Sequence, residues 1–482
     1  MAETSLAETF PAGIAGKRIH AVGAGGHGIS AAMRLARSRG AVVSGCDTAE
    51  THMLRSLRNE GFAVAIRHDE AHADHADLVV VSPAVTYLNP NLPELERARS
   101  RGVPVVKWQA LLGYLMGGRI GVSVAGVHGK GSTTALLGSL CIAGGLDPTV
   151  EVGETVLAWG GNIRLGQGSL FINEADEFDY NFLHYHPRVA VLTAVEYDHP
   201  EFFPSYAAIR DAFVQFLRGM DTAPREDAPP PALVLNADSP GCLDVLRELG
   251  DWPGVVRTFG VEAQTADVRA REIRVAGETS FTLDVDGASL GRVTLQTPGR
   301  HYVANALAAT AAATVLGAPR QSIAPALEGF TGLLRRFQIV EDGDVTFIDD
   351  YAHHPHAIAV TLETARARFA GRRLIAVFQP TLYTRLHRFL AEFSAAFDAA
   401  DDALIVETQP SREVDTGLAH GRDLVERIRE RSAFAGRPEA VQYGGTFAET
   451  AAALRAMWRP GDVVAVMGSG PVDAVIGLAR LS

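Results

Sequence analysis

The sequence predicts an α/β protein built from three successive units, at 1–117, 118–332 and 333–482. Three observations carry this. The chain has 482 residues, too many for one hydrophobic core and enough for about three domains. Short continuous apolar runs, typical of buried parallel strands, alternate with helical patterns. Two of the strand-to-helix turns are rich in glycine. At 47% hydrophobic and 21% charged residues, the composition is that of a globular chain.

In the first unit a strand is expected over 18–22, ending in glycines. A helix over 29–39 stops at Gly40, and a second strand covers 41–44. The run 78–82 reads as a buried parallel strand ending at Ser82, and the paired Gly117 and Gly118 close the unit. The second unit begins with a strand over 120–125, then a glycine-rich loop and a helix over 132–143. Strands follow over 169–173, 189–193 and, past a proline-rich loop at 223–231, over 232–236. Alternating polar and apolar residues over 268–295 predict a small antiparallel meander, and an alanine-rich helix over 303–316 closes this unit. The third unit has strands expected over 345–348, 374–378, 403–406 and 463–466.

The loop of the second unit reads Gly126-Val127-His128-Gly129-Lys130-Gly131-Ser132-Thr133-Thr134. Glycines let backbone N–H groups converge on phosphate oxygens, and the helix N-terminus adds positive potential. Lys130 would reach the outer phosphates of ATP, and a hydroxyl of Ser132, Thr133 or Thr134 would ligate Mg²⁺. The spacing from Gly126 to Gly129 is shorter than in a Walker A loop, so a plain helix cap is the competing reading.

Two acidic clusters are expected just past neighbouring strands: Glu174-Ala175-Asp176-Glu177 and Glu196-Tyr197-Asp198-His199. Ligands of wound sheets sit outside the carboxyl ends of strands, which puts both clusters on the edge of the phosphate loop. Glu174 and His199 are the candidates to hold metal ions there. A third polar segment, Asp349-Asp350-Tyr351-Ala352-His353-His354-Pro355-His356, also follows an expected strand. Adjacent His353 and His354 do not readily face one ion and no cysteine joins them, so a ligand-contacting loop is expected rather than zinc.

Near the N-terminus, Gly23-Ala24-Gly25-Gly26-His27-Gly28 fits G-x-G-x-x-G, and Asp47 stands where a ribose-binding acid would. Alone, this pattern predicts NAD and an oxidoreductase. The same loop cradles any pyrophosphate, a UDP-sugar included. Joined to a separate loop at Lys130, it argues for two nucleotides on two domains.

The net charge of −12, with no long Lys/Arg block, gives a nucleic-acid partner no electrostatic footprint. Cys46, Cys141 and Cys242 lie far apart, with no CxxC and no zinc spacing, as in a reducing compartment. Residues 1–15 lack a secretory pattern, and no apolar stretch is long enough to span a bilayer. A cytoplasmic protein without a membrane partner is expected, as a monomer or homodimer.

Together these motifs resemble those of the Mur ligase family over nearly the whole chain. The likeness runs through Gly25 to Ser30, Gly126 to Lys130, Glu174 to Glu177, Asp198-His199-Pro200, Gly299-Arg300-His301 with Asn305-Ala306, and Arg335-Arg336-Phe337. It continues through Asp349 to Pro355, Phe378-Gln379-Pro380 and Tyr383-Thr384-Arg385. The resemblance implies a Rossmann-like N-terminal domain for a UDP-sugar, a central P-loop ATPase-like mixed sheet for ATP, and a Rossmann-like C-terminal domain for an amino acid. It implies an ATP-dependent carbon–nitrogen ligase of peptidoglycan precursor synthesis, working through an acyl phosphate. The branch most similar joins L-alanine to UDP-N-acetylmuramate; a relative taking another amino acid or a peptide is the alternative.

The implied roles follow. Gly25, Gly26, His27, Gly28, Asp47, Ser82, Glu177, Tyr351, His353 and Arg385 would contact substrate. Gly126, His128, Gly129, Lys130, Gly131, Ser132, Thr133, His301, Asn305, Arg336 and Asp350 would contact ATP. Ser132, Glu174 and His199 would ligate Mg²⁺ in two sites. Lys130, Glu174, His199, His353 and Arg385 would be catalytic. Several positions depart from the family pattern: Gly131 where Thr or Ser is usual, Tyr302 where Asn is common, Thr381 and Leu382 after Pro380, and Phe178 after Glu177. No lysine occurs from Pro200 through Met220, where most other branches carry a modified one.

Overall fold

The computed structural model describes residues 5–199, 202–411, 413–434 and 436–481. Pro200 lies outside them. By its contacts the chain forms two compact units: Met1–Arg269 with Asp284–Leu290 and Asn305–Leu327, and Ala270–Leu283 with Gly291–Ala304 and Glu328–Ser482.

The first sheet holds β1 (Arg18–Val22), β2 (Val42–Asp47), β3 (Ala63–Ile66), β4 (Leu78–Val81) and β5 (Val105–Lys107), in the order β3-β2-β1-β4-β5. Every pairing is parallel. The order reverses beside β1, and the G-x-G-x-x-G loop leaves β1 at that point. Its third glycine is sterically required: a Cβ on Gly28 would sit 2.2 Å from the Trp108 ring. The helix expected over 29–39 runs His27–Ser38, starting two residues earlier.

The second sheet holds β6 (Ile120–Ala125), β7 (Thr149–Val156), β8 (Gly161–Arg164), β9 (Leu170–Ala175), β10 (Val189–Leu192), β11 (Ala232–Asn236), β12 (Val255–Gly260), β13 (Val268–Arg274), β14 (Thr279–Val285) and β15 (Ala288–Leu295). Its centre is parallel: β11-β10-β6-β9. The short β8 is antiparallel to β7, so the sheet is mixed. β6 is buried at all six positions. Thus β9 and β10 deliver their carboxyl ends to either side of the loop that follows β6. One apolar cluster, from Leu6 and Ile29 through Phe171 to Phe213 and Val245, joins the first two sheets within the first unit.

The third sheet holds β16 (Gln338–Asp342), β17 (Thr346–Asp350), β18 (Leu374–Phe378), β19 (Asp402–Val406), β20 (Val441–Gly445) and β21 (Val463–Met467), in the order β16-β17-β21-β18-β19-β20. Only β16 is antiparallel to its neighbour. Two apolar clusters cover it: Ile348, Ala376 and Ala465 belong to one, and the alternating Phe347, Ile375 and Val464 to the other.

Several limits differ from the sequence expectation, and two of the differences place acidic residues of the site inside strands. Glu174 and Ala175 are the last residues of β9 rather than a loop beyond it, because Val124 and Ala125 of β6 pair with them. Asp349 and Asp350 likewise end β17, opposite Val466 and Met467 of β21.

Candidate functional site

Lys130 is the first residue of the helix Lys130–Ala143, which leaves β6 through the glycine loop. Gly129 caps it with φ 79°, in the left-handed region, and a Cβ there would fall 2.5 Å from Asn305 Oδ1. Gly126, at φ 130°, lies so close to Thr193 that its Cβ would be 2.3 Å from Oγ1. The Thr193 hydroxyl donates to His128 O, which ties the loop to the end of β10. His128 Nε2 lies 3.7 Å from Glu196 Oε2. Gly131, Ser132 and Thr133 are buried in the first helical turn. Thr134 Oγ1 donates back to Lys130 O at 2.8 Å, and Thr133 Oγ1 is buried without a partner.

The lysine points into carboxylates. Lys130 Nζ donates to Glu177 Oε2 at 2.9 Å and lies 3.9 Å from Asp176 Oδ1. Burial lowers its pKa, but Glu177, Asp176 and Glu174 outweigh that and hold it above the usual lysine value. Asp176, Glu177 and His199 each offer one donor atom within 4.8 Å of the others. His199 Nε2 stands 3.8 Å from Glu177 Oε1, and its backbone has φ 52° with its N–H donated to Asp198 Oδ1 at 2.7 Å. Glu174 stands apart from that triad and accepts the Gly153 N–H at 2.8 Å. Burial pushes Glu174 up to about 7 and lifts Glu151 well above the carboxylate range. Two carboxylates and an imidazole converge there beside one lysine, a donor set that fits a divalent cation.

The N-terminal glycine loop is held by its acid. Asp47, the last residue of β2, accepts the Gly25 N–H at 2.8 Å and the Thr48 N–H at 2.7 Å. The Cβ of Ser82 lies where a side chain on Gly23 would clash, at 2.9 Å. His27 O accepts from Asn162 Nδ2 at 2.5 Å, so the second sheet steadies this loop within the first unit.

In the second unit another group assembles. Asp350, at the end of β17, accepts Phe337 N–H and Ala352 N–H, each at 2.7 Å. Arg336 lies over the Tyr351 ring, 5.3 Å from its centre. His353 Nδ1 is 2.9 Å from Tyr351 O. Arg385, 5% exposed, has Nε buried without a hydrogen-bond partner. His301 is the second residue of the helix Arg300–Val315, which also carries Asn305; burial first, then Arg336 and His356, lower its pKa to about 4. Tyr302, one of the departures, is buried and donates to Arg336 O.

Family comparisons agree in all three segments. Residues 18–119 match the family described as Mur ligase family, catalytic domain; 124–313 match the Mur ligase middle domain; 335–470 match the Mur ligase, glutamate ligase domain. A UDP-N-acetylmuramate–L-alanine ligase of Methylococcus capsulatus is 38% identical, over 95% of this chain and 94% of its own. The chain belongs to the Mur ligase family. This Mur ligase is also similar to the ligase of the same name from Acidothermus cellulolyticus, at 39% identity over 94% of this chain and 92% of the relative. Among solved structures, the UDP-N-acetylmuramate–alanine ligase of Thermotoga maritima superposes with TM-score 0.77 at 27% identity, covering 96% of this chain and 98% of the other. A murein peptide ligase from Psychrobacter arcticus gives 0.71 at 25% identity, covering 97% and 100%. The three-domain α/β fold and the ligase class expected from the motifs are those of this family.

Sequence reading missed Asp176 as a member of the donor triad and Glu177 as the partner of Lys130. The signal lay in the same acidic tetrapeptide. Which of its carboxylates turn toward the loop depends on where β9 ends: Glu174 is held within the strand, and Asp176 and Glu177 lie just past it. It also missed Gly153, whose N–H no sequence pattern marks.

Proposed function

We propose that this Mur ligase joins L-alanine to UDP-N-acetylmuramate at the expense of ATP, supplying a peptidoglycan precursor in the cytoplasm. The observation that carries the reading is the buried Lys130 at the mouth of a glycine loop, gripped by Glu177 beside Asp176 and His199. The relatives that match over nearly the full length, and bear that name, supply the substrates. No helix among the described residues is long and apolar enough to cross a membrane.

A carboxylate is a poor acyl donor because its leaving group would be oxide. Transfer of the ATP γ-phosphoryl group to it creates phosphate as leaving group. The amine of alanine then attacks the acyl carbon, a tetrahedral intermediate collapses, and phosphate departs. Lys130, kept protonated, offsets charge on the transferred phosphoryl group. Backbone N–H groups of Gly126 to Gly131 orient the phosphates. Asp176, Glu177 and His199, with Glu174 and the Ser132 hydroxyl as further ligands, would hold Mg²⁺, which would offset charge on phosphate oxygens. His301 and Asn305 contact the adenine, and Arg336 and Asp350 the ribose or phosphates. The loop Gly25 to Gly28, with Asp47 and Ser82, takes the UDP moiety. Tyr351, His353 and Arg385 serve the amino acid and the acyl end. The corresponding domains are 1–117, 118–332 and 333–482.

The test is phosphate release with mass analysis of the product. We expect turnover only with ATP, Mg²⁺, UDP-N-acetylmuramate and L-alanine together. A preference for a peptide over L-alanine would move the enzyme to the murein peptide ligase branch, and silence with all four components would refute the reaction.

A further inference from the structure

We infer that the N-terminal sheet carries a zinc-type metal site formed by His20, Cys46, His72 and Glu94, separate from the nucleotide machinery. These residues come from four elements: β1, β2, the 3₁₀ turn Glu70–His75 and the helix Pro93–Ser100. One ligand atom from each lies within 4.8 Å of all the others. Glu94 Oε1 is 3.0 Å from His20 Nε2 and 2.8 Å from His72 Nδ1, and Glu94 Oε2 is 3.3 Å from Cys46 Sγ. A tetrahedral ion with bonds of about 2.0–2.3 Å separates its ligand atoms by about 3.3–3.8 Å, so these spacings need only small adjustment. Two imidazoles, a thiolate and a carboxylate are the ligand types that Zn²⁺ takes.

Burial argues that the cluster has a purpose. His20 is 3% exposed, Cys46 0% and Glu94 1%. They interrupt an otherwise apolar layer of Val22, Val79, Val81, Leu92, Leu95 and Ala98. An acid and a thiol placed there are costly unless a cation or a complete hydrogen-bond network compensates. The network is not complete: His20 Nε2 approaches Glu94 but makes no aligned hydrogen bond. Its other nitrogen, Nδ1, lies 2.9 Å from Ser44 Oγ, which fixes the ring with Nε2 aimed into the cluster. That is the outer-shell arrangement of metal-binding histidines. His68 Nδ1 stands 3.2 Å from both Cys46 Sγ and Glu94 Oε2 and would play the same supporting part.

The site also bears on the substrate loop. Cys46 O accepts the N–H groups of Gly23 and Ala24, and Asp47 follows directly. An ion clamping Cys46 would fix the end of β2 on which the glycine loop is hung. On binding, the Cys46 thiol loses its proton to solvent and the sulfur forms the metal bond; no oxidation is involved.

The experiment uses the full-length protein, stripped with a chelator and titrated with Co²⁺ alone, without ATP or Mg²⁺. We expect one equivalent that gives visible tetrahedral bands and a sulfur-to-cobalt charge-transfer band, displaced by Zn²⁺. Cys46→Ala should abolish the charge-transfer band. His72→Ala, at a partly exposed position, should weaken binding about tenfold or more. Glu177→Gln should leave the sulfur band unchanged, because the nucleotide-side triad contains no sulfur. Absence of the sulfur band in the wild-type chain, or its persistence in Cys46→Ala, would overturn the site and leave the proposed ligase reaction untouched.

Discussion

Lys130 sits where its charge is both expensive and protected. It is surrounded by Glu177, Asp176 and Glu174, which hold the proton on despite burial. Lys130→Ala should therefore cut kcat by about 10²–10³-fold or more, as loss of a transition-state charge partner does. Binding of UDP-N-acetylmuramate, measured by calorimetry, should persist, since the glycine loop of the first sheet is intact. Near-normal turnover in that variant would remove Lys130 from the chemistry. His301 makes a different prediction at the same scale. Its pKa of about 4 lies below the value near 6.5 of an unfolded histidine. The unfolded chain thus takes up the proton first, so the stabilising contribution is complete above pH 6.5 and is lost as pH falls toward 4. It amounts to something on the order of 3 kcal/mol when fully expressed. The thermal midpoint of the transition that includes His301 should fall more between pH 7 and pH 4.5 in wild type than in His301→Gln; parallel curves would contradict a buried neutral imidazole.

Among the elements, the turn before the helix Lys130–Ala143 is the most constrained. Gly129→Ala would place a Cβ in a left-handed residue, costing about 1–2 kcal/mol, and drive it into Asn305 Oδ1. The expected result is a lower denaturation midpoint and a raised KM for ATP, with KM for the UDP-sugar little changed. An unaltered KM for ATP would detach Gly129 and Asn305 from the nucleotide. The sequence made this loop legible because β6, an unbroken apolar run, and the glycines announce themselves. β6, β11 and β18 have the limits their apolar runs suggest. β9 and β17 run on into Glu174–Ala175 and Asp349–Asp350 because parallel neighbours pair with their backbone, and side-chain polarity does not reveal that. Short or polar strands such as β5 and β20 were missed for the same reason. The triad of Asp176, Glu177 and His199 needs the order β10-β6-β9, which is a fact of topology rather than of local pattern. The cluster at Cys46 was invisible because its members come from four separate elements, and the cysteine spacing alone signals nothing.

At the scale of the molecule, the three segments are not three equivalent folding bodies. The first sheet and the parallel centre of the second share one apolar cluster that runs from Leu6 through Ile29, Phe171 and Phe213 to Val245. The third sheet has its own clusters on both faces. Residues that share a core lose their protection together, whereas separate cores open separately. Unfolding in urea should therefore show two transitions rather than three or one, each with its own midpoint. Followed by hydrogen exchange, peptides of β1 and β6 should lose protection at the same urea concentration, and peptides of β18 and β21 at another. UDP-N-acetylmuramate binds, on the proposed reading, to the loop that leaves β1. At a hundred times its dissociation constant it should stabilise the first transition by about 2.7 kcal/mol. Because of the shared core, β6 should gain that protection together with β1, although the UDP moiety contacts only the first sheet. Separate midpoints for β1 and β6 would show that the joint cluster does not couple them.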